Sequence, residues 1–309
     1  MQYLELNNGI KMPQLGLGTF LIPNKKIDAV INKAYELGYR QFDTAWRYYN
    51  EREIANSFKR HKIKRDEVFI TTKVNVDALY FFNYHEGKRR FLNIFRRHSI
   101  KSAIRESFKN LGDGKKEIDY IDLFLVHYPW PMYLEMYEEL TKLYYEGRIR
   151  AIGVSNMLPP HIEALKEVSD VIPAINEIEI SPLNTQKKLI QWCQERNIQV
   201  TAMSTFSHFR SSIPRLEIIE HPLLIPIAHR HKKSVVQIVL RWLIQQNVAV
   251  IPKTWDFGHL KENIDIFDFE LSETEIKVID SLDGGKFLNY NPYAALKNVP
   301  PKYQDWSGF

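Results

Sequence analysis

The chain has 309 residues, of which 44% are hydrophobic and 26% charged, as is typical of a soluble globular protein with a substantial core. Its net charge of +5 is a mild basic excess that could favour an anionic ligand but is not a nucleic-acid-binding signature. The single cysteine, Cys193, excludes an intrachain disulfide and fits a reducing compartment. The amino terminus lacks a signal-peptide pattern, and no apolar run approaches the length of about 18 residues that a transmembrane helix needs. We therefore expect a soluble cytoplasmic protein with no nucleic-acid or membrane partner.

Apolar runs with the length of β-strands alternate with helical patterns along the chain. The eight runs are residues 15–20, 39–44, 68–73, 121–127, 150–154, 173–178, 198–203 and 248–252. Several lack the polar alternation of half-exposed strands, as expected for strands that are buried on both faces. Eight strands alternating with helices predict an α/β fold, a (β/α)8 TIM barrel formed by residues 1–309 as one domain.

Amphipathic helices lie between the predicted strands. One apolar stripe consists of Ile27, Val30, Ile31 and Ala34, and a second, ended by Gly112, consists of Ile100, Ala103, Ile104 and Leu111. Ser234 followed by Gln237 has the spacing of a capping box, in which each side chain bonds the other residue's backbone N–H. Ser272 and Glu275 repeat this spacing and predict a final carboxyl-terminal helix.

The two ends of the chain extend beyond the predicted barrel. The dipeptide Asn8-Gly9 between two short apolar runs predicts an amino-terminal β-hairpin with a tight type I′ turn, which would close the bottom of the barrel. Residues 284–309 show no periodicity and are rich in aromatic side chains, so they are expected to form an irregular tail.

Four polar residues follow the predicted strands at the end where barrel active sites form. Asp43 ends the second strand, Lys73 the third and His127 the fourth, and Tyr48 lies in the loop after the second strand. Any one of these residues is more often a surface or packing residue than a functional one. Together, four polar groups buried at one mouth would be costly unless they satisfy one another. We therefore interpret them as a catalytic group.

Eight short motifs in a fixed order resemble the aldo-keto reductase family, over residues 1–283. They are LGLGT (15–19), DTAWRYYNE (43–51), TTKV (71–74), YIDLFLVHYP (120–129), IGVSN (152–156), PAINEIE (173–179), IPKT (251–254) and FDFELSETE (267–275). The resemblance implies NADPH-dependent reduction of an aldehyde or ketone to an alcohol, with NADH as a weaker alternative and without a metal. It also implies that the cofactor is bound without the glycine-rich dinucleotide-binding loop, which this sequence lacks.

Carbonyl reduction requires a proton for the developing oxyanion, and Tyr48 is the candidate general acid. A tyrosine has an ordinary pKa of about 10, so it is a reluctant acid at neutral pH. A nearby ammonium favours the phenolate, so Lys73 is expected to lower the pKa of Tyr48. Asp43 would keep Lys73 ionised and oriented. His127 is expected to act as a neutral donor that orients the carbonyl.

The resemblance also implies a set of cofactor-binding residues. Ser155 and Asn156 match positions that bond the nicotinamide carboxamide, and Thr19 matches one at the pyrophosphate. Lys253 and Thr254 match residues that hold the 2′-phosphate, where a cation is needed to prefer NADPH. The implied set is completed by Asp43, Ser204, Glu262 and Asn263.

Three residues depart from the family's usual cofactor site. Glu177 replaces a glutamine and cannot donate a hydrogen bond unless it is protonated. Met203 replaces an aromatic ring that stacks on the nicotinamide, and His259 replaces an arginine at the 2′-phosphate. Because histidine is mostly neutral above pH 7, we expect NADPH to be preferred over NADH by a reduced margin that grows as the pH falls.

The spacing between Lys73 and His127 is about twenty residues longer than is usual in the family. The extra segment, residues 76–98, mixes aromatic with basic side chains on the predicted active-site side of the barrel. It fits a lid for an anionic or carrier-bound substrate, a basic-aromatic nucleic-acid surface, or a solvated helix whose aromatic face packs on the barrel or on a second subunit. We favour the last interpretation and expect a monomer or weak homo-oligomer.

Aromatic residues near the predicted mouth suggest a pocket for an apolar or aromatic substrate, unless some of them simply plug the barrel. The candidates are Phe20, Trp46, Tyr128, Trp130 and Trp306.

Two hypotheses for the function follow. The first is a carbonyl reductase, and the second is a cofactor-binding barrel with little turnover that serves as a redox sensor or assembly subunit. The complete group Asp43, Tyr48, Lys73 and His127 favours the first, while the departures at the cofactor site keep the second open.

Overall fold

Eight parallel strands form one curved sheet in the computed structural model, which describes residues 1–76, 81–83, 88–90, 99–112, 114, 116–206 and 213–304. The strands are β1 (Tyr3–Glu5), β2 (Lys11–Pro13), β3 (Leu17–Gly18), β4 (Gln41–Asp43), β5 (Phe69–Val74), β6 (Phe81–Asn83), β7 (Lys88–Arg90), β8 (Ile121–Val126), β9 (Ile149–Ser155), β10 (Ile175–Glu179), β11 (Gln199–Met203) and β12 (Val248–Val250). The parallel sheet has the order β3-β4-β5-β8-β9-β10-β11-β12.

Helices follow most of these strands and pack outside the sheet. They are α1 (Asn24–Glu36), α2 (Glu51–Arg60), α3 (Ile100–Leu111), α4 (Tyr133–Tyr145), α5 (Pro159–Ala164), α6 (Lys187–Gln194), α7 (Ile213–Ile219), α8 (Leu224–His231), α9 (Val235–Gln245), α10 (Phe257–Ile264) and α11 (Glu273–Asp280). The predicted stripes lie on α1 and α3, and the predicted capping boxes open α9 and α11. None of the helices in the described part of the chain has the length and apolarity required to cross a membrane.

Backbone hydrogen bonds join the two edges of the parallel sheet. The N–H of Gly16 donates to the carbonyl of Val250 over 2.9 Å, and the N–H of Val250 donates to the carbonyl of Gln14 over 2.9 Å. A Cβ at Gly18 would lie 2.7 Å from the carbonyl oxygen of Ile251, so only glycine permits this approach. The predicted (β/α)8 barrel is confirmed.

The alternation of side chains along β5 places its residues on two different surfaces. Phe69 packs inside the barrel, whereas Ile70 and Val74 belong to the core between the strands and the helices. In β8, Leu125 faces inward and Val126 outward in the same way. Lys73 therefore points into the barrel, towards the carboxyl ends of the strands.

The amino-terminal hairpin closes the other end of the barrel, as predicted. β1 and β2 pair antiparallel, and Leu4, Leu6 and Met12 pack into the barrel interior. The predicted type I′ turn is wrong. Gly9 has a left-handed φ of 81° while Asn8 does not, and the N–H of Gly9 donates to the carbonyl of Leu6. The connection is thus a three-residue loop ending in a left-handed glycine, because Leu6 and Ile10 still pair.

The long segment after β5 contains two short strands. β6 and β7 pair antiparallel, with Phe81 opposite Arg90. The helix in our favoured interpretation of residues 76–98 is therefore wrong for residues 81–83 and 88–90. The remainder of that segment, apart from Val76, lies outside the described residues.

The carboxyl-terminal tail is more regular than its sequence predicts, with 3₁₀ helices at Pro292–Asn298 and Pro301–Tyr303. A buried carboxylate at the end of β10 anchors it. Glu179 accepts hydrogen bonds from the backbone N–H groups of Leu288, Asn289 (2.7 Å) and Tyr290 (3.3 Å). Since Tyr290 stacks edge-on against Tyr128, at 5.0 Å between ring centroids, this anchor also shapes the barrel mouth.

Replacing Glu179 by leucine should loosen the start of the tail. Three backbone N–H groups would lose their acceptor, at a cost of about 1–3 kcal/mol for each group that stays buried. We expect amides 288–290 to exchange with deuterium at least about tenfold faster, while the barrel strands keep their protection. Glu167→Leu is the matched control, because Glu167 bonds the tail at the surface, through the hydroxyl of Tyr303 and the ammonium of Lys302. Unchanged exchange at 288–290 in Glu179→Leu would contradict this anchoring role.

Candidate active site

A buried lysine forms the floor of the barrel mouth. The Nζ atom of Lys73 lies 2.6 Å from Oδ1 and 2.5 Å from Oδ2 of Asp43, and it donates to the carbonyl of Thr44 over 3.2 Å. Lys73 has no exposed surface, and Asp43 is 3% exposed. Burial acts to lower the pKa of Lys73, but the charge of Asp43 and the hydrogen bonds to Asp43 and Glu177 outweigh this effect and raise it. The ammonium is therefore kept charged.

A second carboxyl group contacts the same ammonium. Oε1 of Glu177, on β10, lies 3.3 Å from Nζ of Lys73. Burial and the neighbouring charge of Asp43 raise the pKa of Glu177 to about 8. Asp43 holds Lys73 through two shorter contacts, so Glu177 is the carboxyl that takes up a proton at neutral pH. A protonated Glu177 can donate a hydrogen bond, as the glutamine of the family's usual pattern does.

Tyr48 and His127 stand above this cluster. Tyr48 ends a 3₁₀ helix, Trp46–Tyr48, that follows β4, and its ring centroid is 5.5 Å from Nζ of Lys73. The rings of Tyr48 and His127 meet edge to face at 5.8 Å. Burial, together with the charges of Lys73 and Arg47, lowers the pKa of His127 well below its ordinary value. His127 is therefore neutral, and its Nδ1 atom is buried without a hydrogen-bond partner among the described residues.

One elongated cavity of about 1020 Å³ connects these residues with α10. Its catalytic end is bounded by aromatic rings, with Tyr128 stacked between His127 (4.6 Å) and Trp130 (5.0 Å) and Phe20 against Tyr48 (4.8 Å). Its far end is bounded by Lys253, Thr254, Trp255, Asp256, His259, Glu262 and Asn263. Such a cavity accommodates a long ligand whose two ends meet different chemistry.

The far end of the cavity holds the cations Lys253 and Arg215, together with the carboxylates of Asp256 and Glu262. Partial desolvation and the charge of Arg215, on α7, lower the pKa of Lys253. The Nζ atoms of Lys253 and Lys26 lie 4.5 and 5.0 Å from the ring centroid of Trp255. The ammonium of Lys253 and the guanidinium of Arg215 repel one another, so an anion bound between these two groups would be stabilised. The site therefore suits a phosphate group.

Comparisons with known proteins agree with this geometry. The model of the Aldo/keto reductase family matches residues 14–213 and 216–284. The chain is 35% identical to the glyoxal reductase of Bacillus subtilis (strain 168) over 291 residues, which cover 94% of this chain and 95% of that protein. It is 34% identical to the methylglyoxal reductase DkgA of Escherichia coli O157:H7 over 292 residues, covering 94% and 96%. The crystal structure of a Bombyx mori aldo-keto reductase in complex with NADP superposes with a TM-score of 0.76 at 31% identity, covering 93% and 94%.

The chain belongs to the aldo/keto reductase family. The resemblance found in its motifs is thereby confirmed, and so is the class of activity that it implies. This aldo/keto reductase is an NADPH-dependent carbonyl oxidoreductase.

The structure brings most of the predicted site residues of this aldo/keto reductase into the one cavity. Those that line it are Phe20, Asp43, Tyr48, His127, Tyr128, Trp130, Glu177, Met203, Ser204, Lys253, Thr254, His259, Glu262 and Asn263. A neutral imidazole at one end and clustered cations at the other fit the nicotinamide and phosphate ends of NADPH.

Four other predicted residues act from behind the cavity wall. Thr19 donates its hydroxyl to the carbonyl of Asp43 over 2.8 Å, and Lys73 lies beneath Asp43. The hydroxyl of Ser155 donates to the carbonyl of Glu177, and the amide of Asn156 donates to the carbonyl of His127 over 3.1 Å. These bonds hold the backbone of the strand ends that carry the cavity residues.

One predicted pocket residue, Trp46, does not line the cavity. Trp46 is 4% exposed and donates its indole N–H to Glu106 of α3 over 2.9 Å, so it packs away from the cavity. Trp306 lies outside the described residues. The aromatic wall instead includes Tyr290 of the tail, which the sequence pattern did not single out.

Several further charged or polar residues at the cavity were missed by sequence reasoning, among them Arg47, Arg215 and Asn75. Arg47 precedes Tyr48 and places its guanidinium 5.5 Å from the ring centroid of Trp130. Arg215 and Asn75 also line the cavity. Arg47 and Asn75 stand within two residues of predicted catalytic residues, which is a signal that could have found them. Arg215 carries no such signal, because only the packing of α7 brings it to Lys253.

Glu177→Gln should change how the stability of the ligand-free protein depends on pH. Glu177 ionises near pH 4.5 in the unfolded chain and near pH 8 in the folded protein. Its stabilising contribution is therefore complete below pH 4.5 and is lost as the pH rises through about 8. The free energy of unfolding of the wild type should therefore fall as the pH rises from about 5 to about 8. In Glu177→Gln this fall should be smaller by roughly 2–4 kcal/mol.

Urea denaturation at a series of pH values measures this difference. Glu146→Gln, an exposed substitution of the same type, is the control and should follow the wild-type profile. Parallel profiles for Glu177→Gln and the wild type would show that Glu177 stays ionised in the folded protein.

Proposed function

We propose that Tyr48 is the general acid of this carbonyl reductase and that Lys73, Asp43 and His127 support it. The observation that carries the proposal is the buried Asp43–Lys73 ion pair beneath Tyr48 and beside a neutral His127. The positive charge of Lys73 stabilises the phenolate that remains when Tyr48 gives its proton to the carbonyl oxygen. Neutral His127 orients that oxygen through a hydrogen bond without competing for the proton.

The remaining predicted residues would hold NADPH along the cavity. Bound NADPH supplies the hydride to the carbonyl carbon. Protonated Glu177 would orient the carboxamide at the catalytic end, with Met203 and Ser204 alongside, while Ser155 and Asn156 hold the backbone of Glu177 and His127 from behind. At the far end, Lys253 and Arg215 would hold the 2′-phosphate. His259 lies in the same cavity wall.

The substrate is a small aldehyde or ketone. The end of the cavity that would bind the substrate has an apolar, aromatic wall formed by Phe20, Tyr128, Trp130 and Tyr290. This wall favours substrates with a compact apolar body. The names of two relatives, a glyoxal reductase and a methylglyoxal reductase, support a small carbonyl compound. Arg47 at the same end extends the range to anionic substrates.

The protein acts as a single domain in the cytoplasm, as a monomer or weak homo-oligomer without a nucleic-acid or membrane partner. One continuous cavity with catalytic and phosphate-binding ends supports a self-contained enzyme. The only cysteine, Cys193, is buried, so burial raises the pKa of its thiol to about 12 and makes it inert.

Tyr48→Phe tests the assignment of the acid. The substitution removes the proton donor and keeps the ring, so kcat should fall by roughly 10²–10⁴-fold. NADPH should bind with unchanged affinity, as measured by quenching of tryptophan fluorescence. Tyr49→Phe alters the adjacent, 43% exposed tyrosine and should leave turnover unchanged. A Tyr48→Phe enzyme that reduces carbonyl substrates at the wild-type rate would mean that another group supplies the proton.

Lys253→Met and Arg215→Met test the phosphate end. Charge-assisted contacts contribute roughly 1.5–3 kcal/mol, so each variant should lower the ratio of the NADH to the NADPH dissociation constant by at least about tenfold. Lys11→Met on the exposed hairpin is the control. A strong preference for NADPH that survives both substitutions would place the 2′-phosphate elsewhere.

A further inference from the structure

A buried amide in the cavity wall has no hydrogen-bond partner among the described residues. Asn75 is 1% exposed, and both its Nδ2 and its Oδ1 atom lack a partner. Burial of an unsatisfied polar group costs about 1–3 kcal/mol. An amide with two such atoms is therefore a strong indication that a ligand forms hydrogen bonds with it. Asn75 belongs neither to the ion-pair cluster beneath Tyr48 nor to the cofactor residues discussed above.

The strand register places Asn75 beside His127. Val74 pairs with Val126 in the parallel β5–β8 ladder, and the N–H of His127 donates to the carbonyl of Val74 over 2.9 Å. Val74 and Val126 face the helices, so the next residue on each strand, Asn75 and His127, faces the barrel mouth. Neighbouring strands are about 4.8 Å apart, which sets the approximate spacing of the two side chains.

The other polar side chains among the described residues at this end of the cavity include Tyr48 and His127, which are assigned to the reacting oxygen, and Arg47, which suits an anionic group. The rings of Phe20, Tyr128 and Trp130 line the same end. A neutral substrate oxygen other than the reacting carbonyl can therefore find its partner at Asn75. An amide donates through Nδ2 and accepts through Oδ1, so it can bond either a keto oxygen or a hydroxyl group.

We propose that Asn75 is a specificity-determining residue that hydrogen-bonds an oxygen on the carbon next to the reacting carbonyl. The preferred substrates are then α-dicarbonyl and α-hydroxycarbonyl compounds, because oxygens on adjacent carbons can reach side chains that lie one strand spacing apart. The inference rests on the proposed function, since it takes Tyr48 and His127 as the partners of the reacting oxygen.

Matched substrate pairs in the NADPH-loaded enzyme test this inference. The pairs are 2,3-butanedione with 2-butanone, and phenylglyoxal with phenylacetaldehyde, which differ in the second oxygen. Asn75→Leu keeps the approximate shape of the side chain and removes both polar atoms. It should lower kcat/KM at least about tenfold for the doubly oxygenated member and less than about threefold for its partner. Asn75→Ser keeps one donor and acceptor and should lose less than Asn75→Leu.

Binding of NADPH to each variant shows that it is folded. If Asn75→Leu does not fold, Asn75→Ser decides the question, because its kcat/KM should fall more for the doubly oxygenated member of each pair than for its partner. Equal losses for both members of a pair would overturn the inference and assign Asn75 a structural role. A wild-type enzyme that reduces only the singly oxygenated members would also overturn it, with the proposed function intact. Absence of turnover with every carbonyl compound would reject the proposed function and this inference together.

Discussion

The buried ammonium of Lys73 is the constraint on which the rest of the site depends. A charge without exposed surface is stable only when opposite charges compensate its loss of hydration. Asp43 compensates through two contacts of 2.6 and 2.5 Å, and Glu177 is a third neighbour at 3.3 Å. Because the three residues stand on β4, β5 and β10, the barrel must close correctly before the charges meet. The proton on Glu177 then sets the charge balance beneath Tyr48.

The two ends of the cavity offer one long ligand two different electrostatic environments. At the catalytic end, burial and nearby cations keep His127 neutral, which suits a group that must donate a hydrogen bond and retain its proton. At the other end, Lys253 and Arg215 are near enough for their charges to repel, which suits a phosphate. In the proposed function, a dinucleotide phosphate would satisfy both ends at once, and the charges would set the direction in which it binds.

The carboxyl-terminal tail is tied to the barrel by buried groups as well as by its aromatic rings. Glu179 accepts three backbone N–H bonds from it, the ring of His161 bonds the carbonyl of Ala295 over 3.1 Å, and Asn298 donates to the carbonyl of Pro129 over 2.8 Å. These anchors position Tyr290 against Tyr128. The shape of the substrate end therefore depends on contacts between segments more than one hundred residues apart in sequence.

The amino-acid sequence by itself determined the eight strands, the capped helices and the positions of Asp43, Tyr48, Lys73 and His127. These features depend on local patterns, namely strand-length apolar runs, side chains that cap the nearest turn, and polar residues at strand ends. The tertiary structure alone decided which residues share the cavity. It turned Trp46 away towards Glu106, brought Arg215 to Lys253, and left the amide of Asn75, beside His127, with no hydrogen-bond partner in the part of the chain that the structure describes. Such neighbours depend on the packing of distant segments and on the strand register, which no local pattern encodes.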